Sequence, residues 1–141
     1  MDWWKTVLIA TLLLVATGCD RLAGYTTASK DAVRSFHEQL NQERYDDIIR
    51  GATAGFRNSA TEAERHAYFD GVRQGLGQHH DSDRISFSAD SGPSGVGVTV
   101  TLDSRFEFGS AQETFVFVER DERMVLHDYR VNARVFMVGR E

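Results

Sequence analysis

The sequence predicts an α+β domain in which helices come first and a four-stranded antiparallel sheet follows. Two observations carry this. Apolar residues recur at helical spacing as far as Leu76, and from residue 79 the apolar period changes to two. Clusters of glycine, serine and charged residues then divide the second half into four runs. Three N-terminal helices packed on one face of a curved sheet is the economical way to bury both apolar sets.

The domain is expected over residues 29–141. Ser29 is placed to N-cap the first helix, with Asp31 in a first turn where the helix dipole favours an acid. Val33, Phe36 and Leu40 then form one apolar stripe that ends at Asn41. Tyr45, Ile48 and Ile49 predict a short second helix stopping near Gly51 or Gly55, and Phe56 falls in the connection as a core anchor or part of a short strand. Thr61-Glu62-Ala63-Glu64 reads as a capping box, in which hydroxyl and carboxylate satisfy each other's backbone amides. It opens a third helix through Phe69, Val72 and Leu76, with Gly77 as its C-terminal cap.

Ile85 and Phe87 alternate with serines at the start of the sheet. Val96, Val98, Val100, Leu102, Phe106 and Phe108 share one parity, interrupted at Ser104, which predicts a long strand with a bulge near Asp103–Arg105. Gly109-Ser110 is a two-residue hairpin signal. Thr114 to Val118 is apolar on both faces, as in a central strand covered on both sides. Residues Arg120 to Arg123 turn the chain, and Met124 to Ala133 pairs back. Pro93, the only proline, lies in a loop.

The start of the chain has its own logic. Val7 to Val15 carries no charge and follows Lys5. A membrane-spanning helix needs about 20 apolar residues, whereas a secretory signal needs about 7–15 before small residues at a cleavage point. A soluble secreted protein, or a cytosolic chain with a buried first helix, would also accommodate this run. Ala16-Thr17-Gly18-Cys19, however, resembles the lipobox of bacterial lipoproteins, with Ala16 in place of the usual leucine. That resemblance implies that residues 1–18 are a signal peptide and that Cys19 is acylated. Residues 19–28 become a tether of at most roughly 30 Å if extended. Cys19 is the only cysteine, so no intramolecular disulfide can form, and lipidation accounts for its presence. The implied location is lipid-anchored at the cell membrane or outer membrane, facing the periplasm. Asp20 resembles the retention signal of the inner membrane.

The net charge is −5, and Asp2 and Lys5 of the leader cancel. An acidic surface argues against nucleic acid or an anionic bilayer as main partner and is compatible with a basic protein partner. The excess of Arg over Lys reflects genome composition more readily than phosphate binding. No P-loop, serine-nucleophile elbow or zincin motif is present. In extended chain His79, Asp81 and Asp83 would converge, but without cysteine the set is poor for structural zinc, and a solvated loop accounts for it. Neither metal nor cofactor is expected. His66 and Asp70 sit four residues apart on the third helix, as in a proton relay or an ordinary surface contact. Gly71, Gly75 and Gly77 fit close helix–sheet packing and a C-cap.

Helix, short helix, capped helix and a meander resemble the nuclear transport factor 2-like, or cystatin-like, α+β cone, and in particular small uncharacterised bacterial lipoproteins of that fold. The resemblance covers roughly residues 29–134. It rests on Ser35-Phe36-x-x-x-Leu40, Tyr45-Asp46-x-Ile48, Glu113-x-Phe115-Val116 and Tyr129-Arg130-Val131. It implies a pocket lined by the sheet, with His127 and Tyr129 on one face and Asp128 opposing them. The candidate pocket or binding residues are therefore His127, Tyr129, Phe115 and Phe117. Ketosteroid isomerases, which share this superfold, pair a carboxylate base with a tyrosine donor. No pocket-facing aspartate can be named here beside Tyr129. The expected function is a non-enzymatic binding module for a protein partner at the cell envelope. The alternatives are an immunity-type lipoprotein neutralising a basic toxin or phage factor, and a small cavity enzyme. An open pocket holding Tyr129 and a carboxylate of raised pKa would favour the enzyme, whereas a cavity filled by Phe and Val would favour the binding module. The fold alone hosts both.

Overall fold

The computed structural model describes the backbone of residues 3–133 and the side chains of residues 20–133. Four helices precede four strands: α1 (Trp3–Asn41), α2 (Tyr45–Gly51), α3 (Ala54–Asn58), α4 (Glu62–Leu76), β1 (His79–Gly92), β2 (Gly95–Phe106), β3 (Gly109–Arg120) and β4 (Arg123–Ala133). The strands form one antiparallel meander in the order β1-β2-β3-β4. The α+β class and the single four-stranded sheet are thus as expected. Cys19, the leader's side chains and residues 134–141 lie outside the described side chains, and so does the expected processing at Cys19. Among the described residues, no helix is long and apolar enough to cross a membrane.

The helices depart from expectation at two places. Ser29 caps nothing: it is buried within α1, and its hydroxyl donates to the Thr26 carbonyl at 3.0 Å. Residues 20–28 are helical rather than an extended tether, because α1 runs through them unbroken. The connection at Phe56 is a fourth helix, started by the Thr53 hydroxyl, which accepts from the Phe56 amide at 3.2 Å. Phe56 is buried and the Thr53 amide donates to the Leu126 carbonyl at 2.9 Å, so the short helix is tied to β4.

The capping box forms as expected. The Glu64 amide donates to the Thr61 hydroxyl at 3.2 Å and the Thr61 amide to the Glu64 carboxylate at 2.8 Å, which holds that carboxyl below the usual range. At the other end Gly77 adopts φ 77° and ψ −158°, a region open essentially to glycine alone. The Leu76 and Gln78 carbonyls accept from Phe108 and Glu107, at 2.9 and 2.8 Å, so the helix end is stitched to the β2–β3 turn. Gly71 lies in open space, so close packing is not its role.

Sheet register follows parity, but the breaks are not where the sequence suggests. β2 and β3 pair without interruption from Gly97–Val118 to Phe106–Gly109. Ser104 is no bulge; it is fully buried on the same face as Val100, Leu102 and Phe106. The register shifts fall on the outer strands: His80 and Ile85 are the extra residues of β1, and His127 is that of β4. Ile85 is accordingly exposed rather than aligned with Phe87. The β2–β3 hairpin turns at Glu107-Phe108, not Gly109-Ser110, and Phe108 is exposed. The β3–β4 turn is where expected, with Asp121 and Glu122 at φ 50° and 63°, the twist-matched hairpin geometry.

Helices cover one face of the sheet. Phe36, Phe69, Phe115, Phe117 and Tyr129 meet there, with Phe36 edge-on to Phe115 at 5.0 Å and to Phe69 at 5.9 Å between centroids. Each fully buried Phe contributes about 1.5–3 kcal/mol of transfer free energy. On the opposite face Thr114, Val116 and Val118 are half-buried only, so β3 is not covered on both sides as its composition suggests. Replacing Gly77 with Ala should cost about 1–3 kcal/mol of stability, read from urea unfolding, since the residue would keep a glycine-only conformation. Its Cβ would also stand 2.7 Å from that of Glu107.

Candidate functional site

A carboxylate sits at the centre of the helix-facing side of the sheet. Glu113 lies on β3 at the parity of Phe115 and Phe117, and is fully buried. An isolated buried carboxylate is untenable at a cost of several kcal/mol, and three donors compensate it. Oε1 accepts from the Tyr129 hydroxyl at 2.6 Å. Oε2 accepts from the Ser104 hydroxyl at 2.6 Å and from His37 Nε2 at 2.8 Å. His37 comes from α1, one residue beyond Phe36 on its buried stripe, and is itself 4% exposed.

Beyond Ser104 the network continues outward. Ser104 Oγ and Ser82 Oγ are 2.7 Å apart, and Ser82 Oγ lies 2.6 Å from His79 Nε2. The His79 ring stacks on that of His37, with centroids 3.5 Å apart and planes 5° from parallel. Asn41, the last residue of α1, fixes the His79 backbone from both sides: its Oδ1 accepts from the His79 amide at 2.7 Å, and its Nδ2 donates to the His79 carbonyl at 3.1 Å.

Proton directions follow from donor counts. An ionised carboxylate only accepts, so His37 Nε2 carries a hydrogen and Ser104 gives its single hydrogen to Glu113. Ser82 must then donate to Ser104, and His79 Nε2–H must donate to Ser82. Every hydrogen in the chain from His79 to Glu113 points inward. Ser82 and His79 lie at the distance of a nucleophile and its base, but His79 presents a hydrogen to Ser82 rather than a lone pair. Ser82 is therefore not activated.

Burial is the largest single influence on the Glu113 carboxyl and pushes it up, but the hydrogen bonds from His37, Ser104 and Tyr129, together with the electrostatic effect of His37, outweigh it, and the carboxyl ends below its ordinary range. Burial, and then the Glu113 charge, push the Tyr129 phenol well above its ordinary value. His79 is lowered from 6.5 to about 4, first by burial and then by the neighbouring His37, so its ring is neutral at neutral pH.

Among the described residues, His37, His79 and Glu113 offer ligand atoms within 4.8 Å of one another. As arranged they do not suit a metal ion. A metal lies in the plane of each imidazole that binds it, and two parallel planes about 3.5 Å apart share no point. The Glu113 oxygens are also committed to three donors.

The residues expected at a pocket are placed as follows. Tyr129, Phe115 and Phe117 are buried together in the core. His127 does not share the Tyr129 face: as the extra residue of β4 it is exposed, with its Nδ1 2.9 Å from the Thr53 hydroxyl. Asp81 and Asp83 do not converge with His79; they face away from the helices and pair with Arg105 at 2.6 and 3.5 Å. His66 meets Asp46 of α2 at 2.8 Å, and Asp70 accepts from the Tyr45 hydroxyl at 3.2 Å instead. His37, Ser104 and Glu113 were not singled out from the sequence as site residues. No protein-family model matches the chain, and no curated protein compared with it does either.

Replacing Glu113 with Ala strands three buried donors and should cost about 3–5 kcal/mol in urea unfolding. Acid should also destabilise the domain in two stages. The unfolded His79 ring takes a proton near 6.5 and the folded ring only near about 4, so stability present above that window is lost as pH falls through it. The depressed Glu113 carboxyl adds a further loss at lower pH, because protonation removes the acceptor its partners need. His79→Asn should flatten the first stage and leave the second, as read from urea midpoints across the acid range.

Proposed function

We propose that this chain is an envelope lipoprotein, held to a membrane by acyl chains on Cys19, whose domain is a non-enzymatic binding module for a protein partner. We read helices against one face of the meander as the cone of cystatin-like proteins. The single observation that carries the choice of class is the filled interior. Phe36, Phe69 and Phe115 pack against Tyr129, Phe117 stacks on Phe115, and Glu113 and Tyr129 are both buried with their hydrogen bonds satisfied. A cavity enzyme of the ketosteroid-isomerase type needs a carboxylate base that substrate can reach, with affinity for a proton at working pH. Glu113 offers neither access nor a raised pKa. Recognition then falls to the exterior, where the helix-free side of the sheet presents a strip of half-buried Thr99, Thr101, Thr114 and Val116, paired across β2 and β3. Such a strip suits a partner protein, and the overall charge of −5 suits a basic one.

Two acyl chains are needed for stable anchoring, since one binds only marginally. Cys19→Ser should abolish incorporation of labelled palmitate and move the chain from the membrane fraction to the soluble one. Unchanged fractionation would overturn the anchor. For the module itself, Thr101→Lys, at a half-buried position whose strand neighbours are Thr114 and Ser86, should eliminate a crosslinked partner band in intact cells while the urea midpoint of the protein stays within the range of an ordinary surface substitution. A band that survives would overturn the partner surface.

A further inference from the structure

Between Cys19 and the domain there is no slack. The backbone is one unbroken helix from Trp3 to Asn41. Tyr25 is already packed against the core, and Ser29, Val33 and Phe36 are buried after it. At about 1.5 Å per helical residue, Cys19 precedes Tyr25 by only about 9 Å along the axis.

From there α1 runs up the sheet in the same direction as β2. Tyr25 lines one cavity with Val96 and Glu119, Ser29 and Val33 line another with Val100 and Leu102, and the His37 and Phe106 rings lie 6.5 Å apart. Asn41 finishes against His79. The domain therefore has two distinct ends. Beside the start of α1 lie the Gly92–Gly95 turn, joining β1 to β2, and the Arg120–Arg123 turn, joining β3 to β4. Arg21 and Glu122 border the same cavity as Tyr25, which brings the second turn against the helix. The opposite end carries the Glu107-Phe108 turn. At about 3.3 Å per residue, the length of β2 sets the two ends about 35 Å apart.

The surface of the first end has a distinctive make-up. Leu22, three residues beyond Cys19, is 52% exposed, a large apolar side chain without cover among the described residues. Around it are Asp20 and Arg21 on α1 and Arg120, Asp121, Glu122 and Arg123 at the turn, all exposed. Three basic groups stand against three acidic ones, so this end is close to neutral although the whole chain carries −5. Balanced charge gives no preference for an anionic surface, and it matches a headgroup layer that is itself zwitterionic.

We propose that the domain stands upright on the bilayer, with Leu22 and the Gly92–Gly95 and Arg120–Arg123 turns against a zwitterionic phospholipid headgroup layer and the Phe108 turn held away from it. The seat rests on the reading of Cys19 as acylated. Given acyl chains at Cys19, the first docked side chain follows within two turns of helix, which leaves the body no linker on which to lift or roll. Thr99, Thr101, Thr114 and Val116 then face sideways at mid-height, and a partner reaches them parallel to the membrane.

The test uses the acylated full-length protein in phosphatidylcholine vesicles that include a lipid carrying chelated nickel on its headgroup. Acylation blocks the Cys19 thiol, so a spin label goes to Ser94→Cys at one end or to Phe108→Cys at the other, both exposed positions. Nickel should relax the label at position 94 strongly and leave the one at position 108 as it is in nickel-free vesicles. A flexible Gly-Ser insert of about 12 residues between Asp20 and Arg21, reaching about 20 Å, should lower the relaxation at position 94 several-fold while the protein still sediments with the vesicles. Equal relaxation at both positions, or more at position 108, in protein that sediments would overturn the upright seat and leave the anchor standing. Relaxation at position 94 undiminished by the insert would overturn α1 as the mount. Protein that neither sediments nor incorporates palmitate would overturn the reading of Cys19, and the seat with it.

Discussion

A negative charge enclosed among phenyl rings dictates how this domain is put together. Glu113 on β3 can stay ionised only if His37 from α1, Ser104 from β2 and Tyr129 from β4 all arrive with hydrogens pointing at it. Three elements therefore converge on a carboxylate carried by a fourth, and each must be in register for the charge to be tolerated. Burying such a group gives little net stability compared with an apolar replacement. What it supplies is discrimination: an alternative packing that misplaces any donor leaves a charge or a hydroxyl unpaired in a dry interior. Apolar packing alone tolerates many near-equivalent arrangements, and the hydrogen bonds narrow them.

The same requirement reaches to the domain's edge. Ser104 has spent its hydrogen on Glu113, so it must accept from Ser82, and Ser82 in turn from His79. The stacked imidazoles and the paired contacts of Asn41 with the His79 backbone then join the end of α1 to the start of β1. Helical and strand halves of the chain are thus connected by polar bonds at that corner as well as by the aromatic core. The orientation that secures the corner is also what denies the serines any nucleophilic role.

Much of the architecture was legible because period is a direct image of burial. The Thr61 capping box, the Gly77 stop, the Asp121-Glu122 turn and the alternation of β2 all appear where their chemistry requires. Bulges were not legible, because an extra residue in one strand is chosen by its neighbour and leaves no mark of its own. Ser104 breaks the apolar alternation in the sequence as such an irregularity would, yet it is a continuous member of the buried row. The network does leave a signature. Ser104, Glu113 and His37 are polar residues in phase with Val98–Phe106, Phe115–Phe117 and Val33–Leu40 respectively, and a polar residue on the apolar phase must have a partner. The continuation of α1 through residues 20–28 is hidden for another reason: Gly24, Thr26 and Thr27 have low intrinsic helix propensity, and the Thr26 and Thr27 hydroxyls, which donate to the carbonyls four residues back at 3.0 and 3.1 Å, are satisfied there without adding to helix stability.

The distribution of irregularity within the sheet has its own consequence. The inner pair β2–β3 is regular along its whole length, while the unpaired residues His80, Ile85 and His127 all belong to the two outermost strands. Bulges of this kind twist an edge strand and interrupt the straight row of amides and carbonyls that an incoming chain would pair with. Among the described residues the regular edge runs are therefore short, the one from Ser86 to Gly92 on β1 being seven residues, and edge-to-edge pairing of copies is restricted to such fragments.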